Sequence, residues 1–359
     1  MSTSAAFSVE QPHLQPARNG MVAVQRWLWI VAALVVLMVA IGGATRLTGS
    51  GLSITEWKPV TGALLPLSHH SWMVEFEKYR ATPQYQLLNH GMTLDEFQFI
   101  YLWEWGHRQL GRLIGIVYIL PLLWFAVRGV VRGKLLVVLL ILGAMGGAQG
   151  GIGWIMVASG LTPGMVAVAP IKLMLHLVAA CIIYIGVVWV ATDLRSRSRA
   201  GAQAQAAPAR LRAAGSLIVV AILVQIALGA LVAGLNAGMI FNTWPLMDGG
   251  FVPDIETLLP VSPWWHNLAE SVALVQLNHR IGAYVLLALV LWHFFDVRKT
   301  MPGSKMARMA VVLVGLVLAQ AVIGIVTLLL VVPLPAALLH QVMAVMVLGH
   351  AVAHRAMMR

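Results

Sequence analysis

Two stretches decide the fold: "HRQLGRLIGIVYILPLLWFAVRG" at residues 107–129 and "HRIGAYVLLALVLWHFFDVRK" at residues 279–299. Each begins with a His-Arg pair, continues as a largely apolar run and ends with basic residues. An apolar run of about 20 residues is long enough to cross the hydrocarbon core of a bilayer as a helix. The two stretches therefore predict transmembrane helices that are related by an internal repeat.

The composition places the whole chain in the membrane class. Of its 359 residues, 60% are hydrophobic and only 10% are charged, which is typical of a polytopic membrane protein rather than a soluble domain. The net charge of +11 comes from basic residues between apolar runs, so it indicates topology and no nucleic-acid partner is expected. Cys181 is the only cysteine, which excludes an intramolecular disulfide and a cysteine-based metal site.

Charge in the connections predicts the orientation of the helices. Basic residues fill the second, fourth and sixth connections, whereas the fifth, residues 236–279, contains no Lys or Arg. By the positive-inside rule both termini are cytoplasmic and the two long loops lie outside. The runs themselves predict eight spans, at about 24–44, 108–128, 134–156, 173–192, 214–235, 280–297, 309–332 and 337–354.

The repeat extends beyond the two opening stretches. "LGAMGGAQGGIG" (142–153) parallels "VGLVLAQAVIGI" (314–325) through an Ala-Gln pair followed by glycine. "IKLMLHLVAA" (171–180) parallels "PAALLHQVMA" (335–344), and each places a histidine one turn into a helix. Each half is thus a unit of four helices, and an even number of helices gives both units the same orientation.

The predicted fold class is an all-α polytopic membrane protein, with eight transmembrane helices arranged as two tandem pseudo-symmetric four-helix bundles. Small residues in the third span suit close helix packing or close approach of a ligand. The predicted organisation is a disordered cytoplasmic tail (1–22), an N-terminal half (23–195), a basic cytoplasmic linker (196–212) and a C-terminal half (213–359).

Four histidines form a pattern at the predicted outer ends of the even-numbered spans: His107, His176, His279 and His340. Two facing imidazoles in an apolar bundle are suited to binding a heme iron from both sides. Arg108 and Arg280 follow two of these histidines and could bind heme propionates. A single interfacial histidine is more often satisfied by headgroups, but four at matching repeat positions favour ligation. Zinc is disfavoured because each half offers only two such ligands.

A rival pairing uses the inner ends of two spans. His293 lies 14 residues after His279, and His354 lies 14 residues after His340. Two stacked hemes, as in quinone-linked b-type cytochromes, would need such pairs. The first half has no equivalents, and a terminal histidine such as His354 is commonly an interfacial basic residue. The outer set is favoured.

The two halves differ in one acidic residue. Glu104 stands three residues before His107, whereas Gln276 stands three before His279. A carboxyl group beside a cofactor can accept or donate protons, which suggests that chemistry occurs in the first half. The alternative is an interfacial acid paired with Arg108. The first loop contains "TRLTGSGLSITEWKPVTGALLP" and the second "LNAGMIFNTWPLMDGGFVP", and both are expected to cap the two halves from outside.

Together these features resemble the heme A synthase family, in the branch found in α-proteobacteria and mitochondria that lacks a cysteine pair in the first loop. The resemblance covers nearly the whole chain from about residue 24. It rests on the duplicated eight-span layout and on "GGATRLTGSGLSITEWKPVTGALLPL" (42–67), "EWGHRQLGR" (104–112), "HLVAA" (176–180), "FNTWPLMDG" (241–249), "QLNHR" (276–280) and "LLHQ" (338–341).

The resemblance implies an oxidoreductase that converts the C8 methyl group of heme O to a formyl group by successive hydroxylations, giving heme A for terminal oxidases. It implies that His279 and His340 bind a resident heme b, that His107 and His176 face the substrate heme, and that Glu104 is catalytic. Two alternatives stay open, a diheme b-type cytochrome that exchanges electrons with quinone and a heme carrier without chemistry.

The implied surroundings are a bacterial inner membrane, with the heme sites near its periplasmic face. The expected partners are heme O as substrate, the lipid bilayer and an electron carrier that the sequence does not identify. Heme O synthase, oxidase assembly factors and a second copy of the chain are further candidates.

Overall fold

A computed structural model describes residues 14–199 and 206–359 of the chain. Within these ranges the protein is helical and contains no strand, only an isolated bridge between Met247 and Gly250. Eight of the described helices have the length and apolar composition needed to cross a membrane, which confirms the predicted fold class and the number of spans. They are α1 (Leu14–Leu47), α2 (Leu94–Val127), α3 (Gly133–Gly160), α4 (Pro170–Arg199), α5 (Ala209–Gly234), α6 (Val272–Thr300), α7 (Lys305–Leu329) and α8 (Leu334–Ala356).

Several helices extend beyond the apolar runs. Helix α1 begins inside the segment 1–22 that was predicted to be a tail, and α4 and α5 both extend into the predicted linker 196–212. Residues 1–13 and 200–205 of those two segments lie outside the described residues. The predicted orientation of the termini is a separate matter and stays a prediction.

The helices pack as two rings of four. In the first half α1 packs on α2, α2 on α3, α3 on α4, and α4 back on α1. In the second half α5, α6, α7 and α8 close a ring in the same way. The rings meet where α4 packs on α5 and α8 and where α1 packs on α8, so α1, α4, α5 and α8 are central and the other four helices are peripheral.

A continuous apolar core fills the junction between the rings. Leu28, Val187, Val188, Leu348 and Val352 are all fully buried there. The packing is close enough to require a glycine, since a Cβ at position 349 would lie 2.3 Å from the Tyr184 hydroxyl oxygen. Large apolar side chains on the peripheral helices are exposed, among them Leu120, Trp124, Ile141, Phe295 and Val322, as a lipid-facing surface requires.

The first loop folds as a small unit on the end of α2. Helix α2 starts at Leu94, well before the apolar run, because Thr93 and Glu96 form a capping box there. Its first turns carry Phe97, which stacks on Phe76 at 4.9 Å and on Tyr79 at 5.3 Å between ring centroids. Both partners lie in one short helix, His69–Arg80, and Tyr85 of a second short helix, Pro83–Leu87, packs edge-on against them. The loop is therefore anchored to the helix that carries His107.

Candidate functional site

The four outer histidines lie inside long helices, one in every second helix. His107 is on α2, His176 on α4, His279 on α6 and His340 on α8. His176 and His340 follow the starts of their helices by less than two turns, whereas His107 lies more than three turns into α2. All four residues are half-buried among apolar helices.

The two histidines of the second half face each other across the bundle. The ring centroids of His279 and His340 are 6.4 Å apart and the ring planes are inclined by 80°. Bonds of about 2 Å from each imidazole nitrogen to one metal ion would separate the two centroids by roughly 6 Å. The spacing therefore fits two axial ligands of a single heme iron, with apolar helix surface for the porphyrin.

The inner pair does not fit that geometry. His293 and His354 are buried, and their Nε2 atoms are 3.1 Å apart. Two axial ligands with bonds of about 2 Å would place these nitrogens roughly 4 Å apart. Instead the two rings are in direct hydrogen-bond contact. The rival arrangement of two stacked hemes therefore has no observed support at this position.

Three of the four outer histidines are held by the same local motif, a glutamine followed four residues later by a glycine on the adjacent helix. The amide nitrogen of Gln225 donates to the carbonyl of His279 at 2.8 Å and lies 3.0 Å from its ring Nδ1. A Cβ on Gly229 would lie 3.1 Å from Cε1 of the same ring. The ring is thus confined between an amide group and bare helix backbone.

The other two examples repeat this arrangement. Gln149 donates to the His176 carbonyl at 2.7 Å, and a Cβ on Gly153 would lie 3.0 Å from the His176 Cε1. On α7, Gln320 donates to the His340 carbonyl at 3.0 Å and lies 3.4 Å from its Nε2. A Cβ on Gly324 would lie only 2.6 Å from the His340 Cε1. We call each Gln-x3-Gly motif with its histidine a clamp.

His107 has a glycine neighbour but no glutamine. A Cβ on Gly42 of α1 would lie 3.1 Å from Nε2 and 3.4 Å from Cδ2 of His107. The His107 ring therefore presents its Nε2–Cδ2 edge to the neighbouring helix, whereas the three clamped rings present Cε1. The residue four positions before Gly42 is Met38, and within the described residues no hydrogen bond to the His107 ring is seen.

Glu104 is a fully engaged buried carboxylate. It is 3% exposed, and its Oε1 accepts from Arg108 at 2.7 Å. Its Oε2 accepts from the Ser53 hydroxyl at 2.8 Å and from the Ile54 amide at 2.9 Å. Burying a carboxylate is tolerable because all these donors compensate the lost hydration. Glu104 thus joins α2 to the first loop, one turn from His107.

In the second half the uncharged Gln276 joins α6 to the second loop, as Glu104 joins α2 to the first loop. It is 3% exposed and donates to the carbonyls of Ala237 at 2.7 Å and Ile240 at 2.6 Å. Its own carbonyl accepts from Arg280 at 2.9 Å. The loop attachment is therefore duplicated, and the halves differ here by one negative charge and one proton acceptor.

The two arginines are directed to the loops. Arg108 donates to the carbonyls of Ile54 and Glu56, both at 2.9 Å, in addition to Glu104. Arg280 donates to the carbonyls of Phe241 at 2.9 Å and Leu246 at 3.1 Å. These bonds hold the two loops over the histidine-bearing ends of the bundles. Propionate binding by either guanidinium stays a prediction.

A hydrogen bond connects the two halves beside the histidines. Gln341 follows His340 on α8 and donates to the Val39 carbonyl of α1 at 2.9 Å. Gly43 makes room for it, since a Cβ there would lie 2.3 Å from the Gln341 Oε1. The α1 segment that touches His107 is thus bonded to the residue next to a histidine of the other half.

Sequence reasoning brought out the histidines and Glu104 but not the clamps. The Ala-Gln pairs at Gln149 and Gln320 indicate a repeat but do not predict a contact with a histidine, and Gln225 has no such pair. A signal was present, because Gln-x3-Gly recurs as "QGGIG", "QIALG" and "QAVIG". Ser53 was also missed, since its contact with Glu104 spans 51 residues of sequence.

The chain is similar over most of its length to known proteins. Residues 25–352 match the sequence profile of the family described as "Cytochrome oxidase assembly protein". A protein named heme A synthase from Methylobacterium sp. (strain 4-46) is 59% identical over 355 residues, covering 98% of this chain and 97% of that protein. Heme A synthases from Methylobacterium nodulans and Bradyrhizobium sp. (strain ORS 278) are 58% and 50% identical, covering 90% and 94% of this chain and 88% and 91% of those proteins.

Proposed function

The chain belongs to the COX15-CtaA family of cytochrome oxidase assembly proteins, and from this membership and the site geometry we propose that it is a heme A synthase. The reaction is oxidation of the C8 methyl group of heme O to a formyl group. Two successive hydroxylations give a geminal diol, which loses water. The protein is a multi-pass membrane protein, and the product serves terminal oxidases.

One observation carries the proposal. Both four-helix halves contain a pair of histidines, but only one half has an acidic residue beside its pair. The spacing of His279 and His340 suits a heme iron, and the same positions recur as His107 and His176. Only the first half places a carboxylate, Glu104, next to its pair. The two histidine pairs and the single acid therefore support a division of roles: the second half holds a heme, and the first half transforms one.

In the second half, His279 and His340 would hold the resident heme b. When bound, this group supplies one-electron redox chemistry through its iron. The clamps on both rings orient the ligands, and the apolar helices exclude water from the porphyrin. Gln276 and Arg280 keep the second loop closed over the outer end. This half is built to retain its occupant.

In the first half, His107 and His176 would position the substrate heme near Glu104. Oxidation of the methyl carbon and dehydration of the diol both require proton transfer, and a positioned carboxylate provides it. The Glu104 Oε2 already bonds the Ser53 hydroxyl at 2.8 Å, so Ser53 is the first proton-transfer partner on the loop side. Arg108 orients the carboxylate through Oε1 and keeps the loop in place.

We place the protein in a bacterial inner membrane, with the heme sites near the periplasmic face. Charge in the connections supports this orientation. The proposed partners are heme O and an electron carrier, with heme O synthase, oxidase assembly factors and a second copy of the chain as candidates for association. The diheme cytochrome is the weaker candidate, because the inner histidines it requires contact each other directly.

The test is mass analysis of extracted hemes after expression in a host that makes heme O but no heme A. Expression of this chain should produce heme A and its hydroxylated precursor. Extracts that contain only hemes B and O would overturn the enzyme and leave the cytochrome and the carrier. A variant with His107→Ala and His176→Ala is the control, because it should abolish product while the second half keeps its heme.

A further inference from the structure

The feature that the proposed function does not explain is the unequal treatment of the four histidines. Three are clamped by a glutamine that binds the histidine carbonyl and touches its ring. His107 alone lacks the amide. In the second half both histidines are clamped, whereas in the first half only His176 is. The asymmetry therefore coincides with the division between resident and substrate sites.

His107 lacks a clamp because a different residue occupies the position of the clamp glutamine. The helix packing around it is otherwise equivalent to that in the second half. Helix α1 contacts α2 as α5 contacts α6, and Gly42 touches His107 as Gly229 touches His279. Four residues earlier stand Met38 and Gln225 respectively. Met38 faces α2, because its Cε would lie 3.6 Å from a Cβ on Gly111, one turn beyond His107. A thioether has no N–H to donate, so it cannot hold the histidine carbonyl.

The ring orientation agrees with the missing bond. In each clamped histidine the atom nearest the neighbouring glycine is Cε1, whereas in His107 it is Nε2. The His107 ring is thus rotated relative to the clamped rings, with Nε2 as its atom nearest α1. A ring with no amide contact has fewer restraints on that rotation. Partners of a metal-binding histidine fix its orientation and strengthen its binding.

A heme that is a substrate and a heme that is a cofactor place opposite demands on their ligands. The cofactor must stay through many turnovers, whereas substrate and product must exchange once per turnover. We propose that His107 is the exchangeable ligand of the first half, turning toward the iron to hold the substrate and away from it to release the product. His176, with its clamp, remains the fixed ligand. This inference rests on the proposed function and makes Met38 and Gln225 positioning residues.

The two positions allow a reciprocal exchange of side chains of nearly equal size. Met38→Gln supplies the amide in the first half, and Gln225→Met removes it from the second. Met38→Leu is the matched control, since it keeps an apolar side chain of similar volume. The full chain is purified in detergent, loaded with hemin as the probe, and mixed with excess apomyoglobin as the acceptor. Soret absorbance then follows transfer of heme to apomyoglobin.

The wild type should lose heme in two phases, and the fast phase should be absent from His107→Ala. Met38→Gln should slow the fast phase about tenfold, the size of effect that partners of metal ligands have, while Met38→Leu leaves it unchanged. Gln225→Met should speed the slow phase by a similar factor. The absorption spectrum of bound low-spin heme reports that each variant is folded.

The outcomes separate this inference from the function on which it rests. An unchanged fast phase in a folded Met38→Gln protein, or equal slowing in Met38→Leu, overturns the exchangeable ligand. If Met38→Gln does not fold, Gln225→Met decides, and an unchanged slow phase overturns the inference. A wild-type chain that binds no low-spin hemin contradicts the proposed function itself.

Discussion

Replacing Gly324 by alanine should weaken binding of the proposed resident heme without unfolding the protein. A Cβ at this position would lie 2.6 Å from the Cε1 of His340, whereas ordinary contacts begin at 3.4 Å. The imidazole must therefore move by roughly 0.8 Å, because a close-packed helix interface has no free space to absorb the methyl group. The displaced ring is one of the two ligands proposed to hold heme b.

The expected cost follows from the size of this shift. Disturbing the support of a metal ligand typically weakens binding about 10- to 100-fold, which corresponds to roughly 1.4 to 2.8 kcal/mol. Gly229→Ala should have a smaller effect on the same heme, since its Cβ would lie 3.1 Å from the His279 ring. The measurement is titration of the heme-free protein with hemin, together with the heme content after expression.

Gly315→Ala is the matched control. It lies on the same helix as Gly324, and a Cβ there would meet nothing within 4 Å. Both substitutions raise helix propensity by about 1 kcal/mol, so they differ only in the contact with His340. A Gly324→Ala protein that binds hemin as tightly as Gly315→Ala would refute the reasoning.

Two further predictions concern residues outside the proposed sites. Replacing both His293 and His354 by leucine should leave heme content and heme A production intact, and loss of a heme from this double variant would favour the cytochrome alternative. In the first loop, hydrogen bonds from Lys58 and Lys78 hold the pKa of Glu56 below its ordinary value of 4.5. This stabilisation is present above the unfolded-state pKa and is lost as the pH falls through the lowered folded-state pKa. Limited proteolysis should therefore show the loop opening on acidification, and an identical acid transition in Glu56→Gln would contradict the role of this cluster.

Hydropathy was sufficient to predict the eight spans, since only long apolar helices satisfy their backbone groups in lipid. It could not place the start of α2, which depends on the capping box at Thr93 and on aromatic packing with the first loop. Those contacts join residues such as Phe76 and Phe97, and no apolar periodicity reports them. The helix that carries His107 therefore begins much earlier than its apolar run.

The histidines and Glu104 were predictable because they interrupt apolar or repeated sequence. The clamps were not, because a glutamine in a span is equally compatible with helix packing. Comparison of the halves does not bring out Gln225, because the equivalent residue in the first half is Met38 and the glutamine is not repeated there. Arg108 and Arg280 each follow one of the histidines, which predicts propionate binding but does not predict that their guanidiniums donate to loop carbonyls. Such contacts depend on how the loops fold back, which the local sequence does not specify.

In the proposed mechanism the first half performs the oxidation because it alone carries a buried carboxylate at the histidine pair. The most direct test is the heme composition of Glu104→Gln, measured by mass analysis, with Glu96→Gln as the control that removes an exposed acid from the same helix. Glu104→Gln is expected to keep its low-spin heme b spectrum and to accumulate heme O with no formyl product, while Glu96→Gln makes heme A normally. Full production of heme A by Glu104→Gln would contradict this mechanism.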